Sequence, residues 1–171
     1  MTIFLKILWI IYVIFKKKED FGMRDYEINK ETLAVIPISP KRTKIVEKKD
    51  EFIIYSPSMK IIDDSCKFFG SSYEGRFNGT KTLTGITHKS PIIIEESRRI
   101  IFFPTKSPRL TTCAWLSLNS IAEYEGNNEE CIIKFSCGKK IKLPISYNIV
   151  DNQILRATRL ESVLLKRVEE Y

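Results

Sequence analysis

Four cysteines and a single histidine are the residues of this chain best suited to nucleophilic or metal chemistry. A thiol beside an imidazole is the minimum pair of a cysteine hydrolase, and Cys113 with His88 could supply it. No catalytic signature flanks either residue, and the cysteines never occur as C-x-x-C, the usual spacing of zinc ligands. The sequence therefore predicts a protein that is not an enzyme and has neither a metal site nor a cofactor.

The spacing of the cysteines does not form a disulfide framework either. We interpret all four as reduced thiols in the core of a cytosolic protein, because free cysteine is commonly buried and disulfides are rare in that compartment. They are Cys66, Cys113, Cys131 and Cys137.

A segment of small residues between two cations could bind phosphate. Residues 69–76 contain two glycines and the hydroxyls of Ser71 and Ser72, and Lys67 and Arg76 flank these small residues. Small residues let a backbone approach phosphate, hydroxyls donate hydrogen bonds, and cations add charge. The alternative is a helix C-cap followed by an ordinary turn. A nucleotide-binding Walker loop is excluded because G-x-x-x-x-G-K-[ST] is absent.

The net charge of +7 and the pI near 9.2 favour a polyanionic partner, nucleic acid first and an anionic membrane second. Basic residues surround a short apolar run at 100–103 and recur on the last predicted helix. The alternatives are a solvated hairpin end and the charged outer face of a packing helix.

The first 22 residues are unlike the rest. An apolar run of 13 residues at 3–15, interrupted by Lys6, precedes three lysines. It is shorter than the ~20 residues that span a bilayer as a helix, and a signal peptide would carry its positive block first. We interpret 1–22 as an extension before the true start at Met23, with a weak membrane anchor as the alternative. Without it the chain loses four lysines and two acids and keeps a net charge of +5.

Apolar alternation predicts two hairpins in the first third of the chain, at 26–38 and 44–55. The period then changes to that of a helix, with Ser56 as N-cap, Pro57 at the first position and Gly70 at the end. Residues 71–84 form either a weak second helix or an ordered loop.

Strand patterns return in the second half of the chain, before a final helix that Asn148 can cap. Because strands and helices are segregated, we predict an α+β fold: a single domain over 23–171, mainly antiparallel strands with a mid-chain helix and a C-terminal helix. The predicted strands are 92–94, 100–103, 115–124, 131–135 and 139–144, and the predicted buried stripe of the last helix is Ile154, Ala157, Leu160, Leu164 and Val168.

Several blocks of sequence carry a family resemblance. The longest is SCKFFGSSYEGR at 65–76. In order and spacing they resemble the ComK family of bacterial competence transcription factors from about Tyr26 to Leu160. The other blocks are ITHKSPI at 86–92, FPT at 103–105, CAWLS at 113–117, LPISYN at 143–148, NQ at 152–153 and RA at 156–157.

The resemblance implies a cytoplasmic, nucleoid-associated activator of DNA-uptake genes that binds paired A/T-rich boxes as a homo-oligomer. Its further implied partners are RNA polymerase and an adaptor that hands the protein to a protease by recognising a tail beyond the position of Tyr171; a membrane is not among them. A narrow A/T minor groove attracts Arg and Lys. The candidate DNA-binding residues are Lys67, Ser71, Ser72, Tyr73, Arg76, Lys89, Arg98, Arg99, Arg109, Arg156 and Arg159.

Two rival functions stay open from the sequence. The first is a membrane-attached interaction module in which residues 3–15 insert. The second is a ComK-like paralogue that has lost DNA binding and titrates partner proteins.

Overall fold

The computed structural model describes residues 25–170, so the predictions made for residues 1–22 lie outside the described part of the chain. Within that part, nine strands and three α-helices alternate in short groups rather than one by one. Their order is β1 (Thr32–Ser39), β2 (Arg42–Glu47), β3 (Glu51–Ile54), α1 (Ser58–Phe68), α2 (Tyr73–Thr84), β4 (Ile92–Glu95), β5 (Ile100–Pro104), β6 (Trp115–Ser117), β7 (Ile121–Gly126), β8 (Cys131–Phe135), β9 (Lys140–Leu143) and α3 (Tyr147–Glu169).

A six-stranded antiparallel sheet in the order β3-β2-β1-β6-β5-β4 forms the middle of the fold. Successive side chains of a strand point to opposite faces, and both faces of this sheet are covered. Phe102 packs with the cluster that includes α1, while its neighbour Phe103 packs with the cluster that includes α3. Strand β5 is therefore apolar throughout, and all five of its residues are buried.

The second sheet, β7-β8-β9, packs with α3 against one face of the large sheet. Cys131, Ile133 and Phe135 of β8 point into this shared core and alternate with less buried residues. The α+β class, the single domain and the mainly antiparallel pairing are confirmed. The open alternative at 71–84 is resolved as the helix α2, so the domain has two mid-chain helices.

The first predicted hairpin is wrong in its first strand. Residues 26–28 form no strand, because their polar groups bond to α1 and to the end of β2. The backbone N–H of Ile28 donates to Ser65 Oγ at 3.0 Å, and the Tyr26 hydroxyl donates to Glu47 Oε1 at 2.6 Å. The second hairpin is confirmed as β2 and β3.

The predicted long strand at 115–124 is also wrong, because it is divided between the two sheets. A 3₁₀ turn at Leu118–Ser120 follows β6 and redirects the chain into β7. Within that turn the Asn119 side-chain amide donates to the carbonyl oxygen of Arg99 at 3.1 Å, which ties it to the β4–β5 hairpin.

Both predicted helix N-caps are shifted by one or two residues. Pro57 rather than Ser56 caps α1, and the carbonyl of the buried Ser56 accepts from Thr43 Oγ1. Ser146 rather than Asn148 caps α3, with its hydroxyl accepting from the N–H of Ile149. Gly70 ends α1 as predicted, at a φ of +82°.

Two burial predictions are wrong. Val168 is 78% exposed, because α3 continues past the end of the core that covers its first four turns. Cys137 is exposed at the turn between β8 and β9, whereas the other three cysteines are buried as predicted.

Candidate nucleic-acid interface

The loop between α2 and β4, residues 85–91, is held against the last helix by its own backbone. The side-chain amide of Gln153 donates to the carbonyl of Lys89 at 2.8 Å, and Arg156 Nη1 donates to the carbonyl of His88 at 2.8 Å. Lys89 adopts a left-handed backbone with a φ of +46°, which is uncommon outside glycine. The main chain of the loop is thereby fixed while the side chains of His88 and Lys89 are exposed.

Two clefts open on either side of this loop. The helix cleft, about 460 Å³, lies between the loop and α3 and is lined by His88, Arg156 and Arg159. The aromatic cleft, about 580 Å³, is lined by Tyr73, Phe77, His88, Lys89 and Arg109. Thr87 and His88 line both clefts, so the clefts adjoin at this loop.

Five of the candidate residues, Tyr73 and four cations, therefore line one surface. We call this surface, formed by Lys89, Arg109, Arg156 and Arg159, the basic face. Among residues 25–170 none of the four has an acidic side chain within ion-pairing distance. Cations left without acidic partners create a positive potential that attracts polyanions.

Tyr73 gives the basic face an aromatic wall. Its ring stacks on Phe77 at 6.3 Å and meets Trp115 edge-on at 5.9 Å. Burial, with smaller contributions from the nearby Cys113 and Cys66 thiols, raises the pKa of Tyr73 to about 12, so the phenol stays neutral at physiological pH. Half-buried rings beside cations are common in nucleic-acid-binding grooves.

The segment 69–76 is shaped by internal contacts. Gly70 ends α1, and Ser72 caps α2 by accepting from the N–H of Gly75 at 3.0 Å. A Cβ at Gly75 would lie 2.7 Å from the hydroxyl of Ser71, so that hydroxyl would have to rotate away to admit a larger residue. These contacts are those of the alternative reading, a helix C-cap followed by a turn; DNA contact by Ser71 and Ser72 stays a prediction.

Arg76 is directed into the protein. Its side chain is 12% exposed and forms an ion pair with Glu96. Nη2 donates to the carbonyl oxygens of Phe69 at 3.3 Å and Ile94 at 3.5 Å. Its acidic partner Glu96 lies on the β4–β5 hairpin, 20 residues further along the chain.

Lys67, in the same block, is paired on the surface of α1. Its Nζ lies 2.6 Å from Asp63 Oδ2, one helical turn away. Partial burial favours the neutral form of Asp63, but hydrogen bonds from Lys67 and from the N–H of Tyr73 hold its pKa below the usual value. Lys67 is consequently less available to a polyanion than the cations of the basic face.

Arg98 and Arg99 line a third cleft, of about 260 Å³, that shares no lining residue with the other two. We call it the hairpin cleft. The structure therefore does not bring these two arginines together with Lys89, Arg109, Arg156 and Arg159.

Cys113 and His88 do not form a nucleophile–base pair. The thiol of Cys113 donates to the carbonyl of Lys106 at 3.4 Å. Burial raises its pKa to about 11, which keeps it in the unreactive thiol form at neutral pH.

Gln153 is the functional-site residue that the sequence reasoning missed. It is 3% exposed and anchors the loop of the basic face to α3. A polar residue inside the apolar stripe of a helix was the available signal, because a buried amide must find hydrogen-bond partners.

The fold and the basic face define a class: an α+β domain with an unneutralised cationic surface flanked by aromatic rings, as in nucleic-acid-binding proteins. The family described as ComK protein matches residues 23–169. A "Competence transcription factor" of Bacillus subtilis (strain 168) is 39% identical over 157 residues, which cover 90% of this chain and 82% of that relative. No solved structure matches.

The chain therefore belongs to the ComK family, which confirms the resemblance seen in the sequence, and it is a competence transcription regulator of the ComK type. None of the helices within residues 25–170 is long and apolar enough to cross a membrane.

Proposed function

We propose that this protein activates competence genes by binding A/T-rich promoter DNA through the basic face, as a homo-oligomer in the cytoplasm and in association with the nucleoid. The observation that carries the proposal is the pair of adjoining clefts along which Lys89, Arg109, Arg156 and Arg159 have no acidic partner among the described residues. RNA polymerase and a protease adaptor are the further partners expected of such an activator.

The geometry suits phosphate contacts on both sides of a groove. Arg156 and Arg159 lie three residues apart and therefore on one side of α3. Lys89 and Arg109 approach from the opposite side of the loop. Because Gln153 and Arg156 fix the loop backbone, Lys89 is held in place before DNA arrives, which reduces the entropy lost on binding.

Substituting Arg159 tests the proposal directly. We expect Arg159→Ala to weaken binding to an A/T-rich promoter fragment about tenfold, or ~1.4 kcal/mol, in a fluorescence anisotropy titration. The matched control is Lys142→Ala, which removes one positive charge from β9, where Lys142 pairs with Glu130. Equal losses in the two variants would mean that net charge alone governs binding and that the basic face is not the site.

The salt dependence of binding measures how many phosphates are neutralised. The four cations of each protomer are expected to contribute about −3.6 to the slope of log K against log salt for each protomer that binds duplex DNA. A titration between low and physiological salt should show this slope, reduced by about one in Arg159→Ala. A flat dependence, or no DNA binding at all, would favour the rival function of a regulator that titrates partner proteins.

Substituting Lys89 by glycine separates the contribution of its charge to DNA affinity from the contribution of its backbone conformation to stability. Glycine adopts a φ of +46° without strain, so Lys89→Gly relieves a left-handed lysine while removing the cation. We expect the melting temperature to stay level or rise by roughly 1–3 °C while DNA affinity falls about fivefold or more. A variant with full DNA affinity would remove Lys89 from the basic face.

A further inference from the structure

The hairpin cleft lies where five connections meet. They are the turn before β1, the β2–β3 turn, the β4–β5 turn, the β6–β7 connection and the turn between β8 and β9, which contribute Lys30, Lys48, Arg99, Asn119 and Ser136 to its wall. Its volume of about 260 Å³ is just below the ~300–1,000 Å³ of pockets that hold drug-sized ligands. The cleft therefore fits a small molecule or a single anionic group.

The lining combines cations with hydroxyls. Lys30, Lys48, Arg98 and Arg99 line it together with Ser117 and Ser120. Within residues 25–170 only Lys48 of these four has an ion-pair partner, Glu31 at 3.4 Å.

One acid lies near the four cations besides Glu31. Glu95 accepts hydrogen bonds from Ser97 and from the N–H of Arg98, and these bonds, with the charge of Arg98, lower the pKa of the Glu95 carboxyl. Lys30 and Arg99 line the cleft and form no ion pair among the described residues.

The backbone of Arg99 is a second, independent observation. Its φ is +52°, and its N–H donates to the carbonyl of Glu96 to close the β4–β5 turn. A hairpin loop that ends in a left-handed residue normally has glycine there, since other residues cost about 1–2 kcal/mol in that conformation. An arginine kept at this strained position points to a role for its side chain.

We propose that the hairpin cleft binds a phosphate-bearing small molecule. The guanidinium of Arg99 and the ammonium of Lys30 would hold the dianion, and the serine hydroxyls would complete its hydrogen bonds. We assign a ligand that is free in solution rather than a backbone phosphate of the promoter, because the cleft shares no lining residue with the two clefts of the basic face. The site is thus separate from the proposed DNA interface and would make the regulator responsive to a phosphorylated metabolite.

Calorimetric titration of the full chain with pyrophosphate, at an ionic strength fixed by chloride, tests this site. We expect one pyrophosphate per chain in the wild-type protein and a Kd raised at least tenfold in Arg99→Gly. The glycine variant retains the fold because it suits the turn. Lys142→Ala, which removes an equal charge elsewhere, should bind pyrophosphate within twofold of the wild-type protein.

The DNA arm of the experiment distinguishes the two sources of phosphate. Arg99→Gly should bind an A/T-rich promoter fragment within twofold of the wild type, and saturating pyrophosphate should not displace that DNA. If Arg99→Gly loses DNA affinity and pyrophosphate competes with DNA, the cleft holds a promoter phosphate and the proposal is overturned. It is equally overturned if pyrophosphate does not bind, or binds the wild type and Arg99→Gly alike.

Discussion

Replacing Arg76 by alanine is expected to lower the free energy of unfolding by about 2–4 kcal/mol, which is roughly 5–10 °C in melting temperature. The guanidinium joins the end of α1 to β4 and to the following hairpin through Phe69, Ile94 and Glu96. Its removal leaves two carbonyls without their donor and a space beside the buried Cys66 thiol, whose pKa burial raises to about 12 despite the positive charge of Arg76.

The ion pair itself contributes little to this loss. Glu96 is 70% exposed, and exposed pairs are worth only about 0–1 kcal/mol because water screens them. Glu96→Ala should therefore lower the melting temperature far less than Arg76→Ala. Lysine cannot reach three acceptors in the fork geometry of arginine, so Arg76→Lys is expected to rescue little.

The outcome also decides the DNA contact foreseen for Arg76. An unchanged melting temperature together with lost DNA binding would show that Arg76 faces the promoter and that its internal contacts are dispensable. A large drop in melting temperature would establish it as a residue that holds α2 on the sheet.

The elements with a regular local period were predictable. The alternation in β2 and β3 and the helical spacing before Gly70 arise from local sterics and one-sided burial, which a sequence displays directly. The division of 115–124 into two strands was not predictable. Trp115 and Tyr124 are both aromatic residues that favour strands, although they belong to different sheets. Which sheet a strand joins depends on contacts with residues far along the chain.

The candidate site was predictable in residue type but not in grouping. The net positive charge from lysines and arginines indicates a polyanionic partner. Which of these cations are free to bind it depends on the acids that the fold brings near them. Arg76 meets Glu96, 20 residues away, while Arg159 meets no acid among the described residues. Such pairings depend on the tertiary structure and cannot be predicted from the local sequence.

Gln153→Leu is expected to cost about 2–4 kcal/mol of stability and to weaken DNA binding about tenfold. The amide nitrogen donates to two carbonyls, those of Lys89 at 2.8 Å and Pro104 at 2.6 Å, from a side chain that is 3% exposed. Leucine has a similar volume but no donor, so both carbonyls lose their partner, at about 1–3 kcal/mol for each one left buried. The first effect is measured by thermal melting.

The second effect separates Gln153 from an ordinary core residue. Losing the bond to Lys89 frees the loop that holds this cation on the basic face, so affinity for promoter DNA should fall even at temperatures where circular dichroism shows the variant fully folded. Thr158→Ala, an exposed change on the same helix, is the control and should alter neither quantity. If Gln153→Leu melts lower but binds DNA like the wild type, the loop does not need its anchor and Lys89 acts without preorganisation. If the melting temperature is unchanged, water or relaxed backbone satisfies both carbonyls and Gln153 has no structural role.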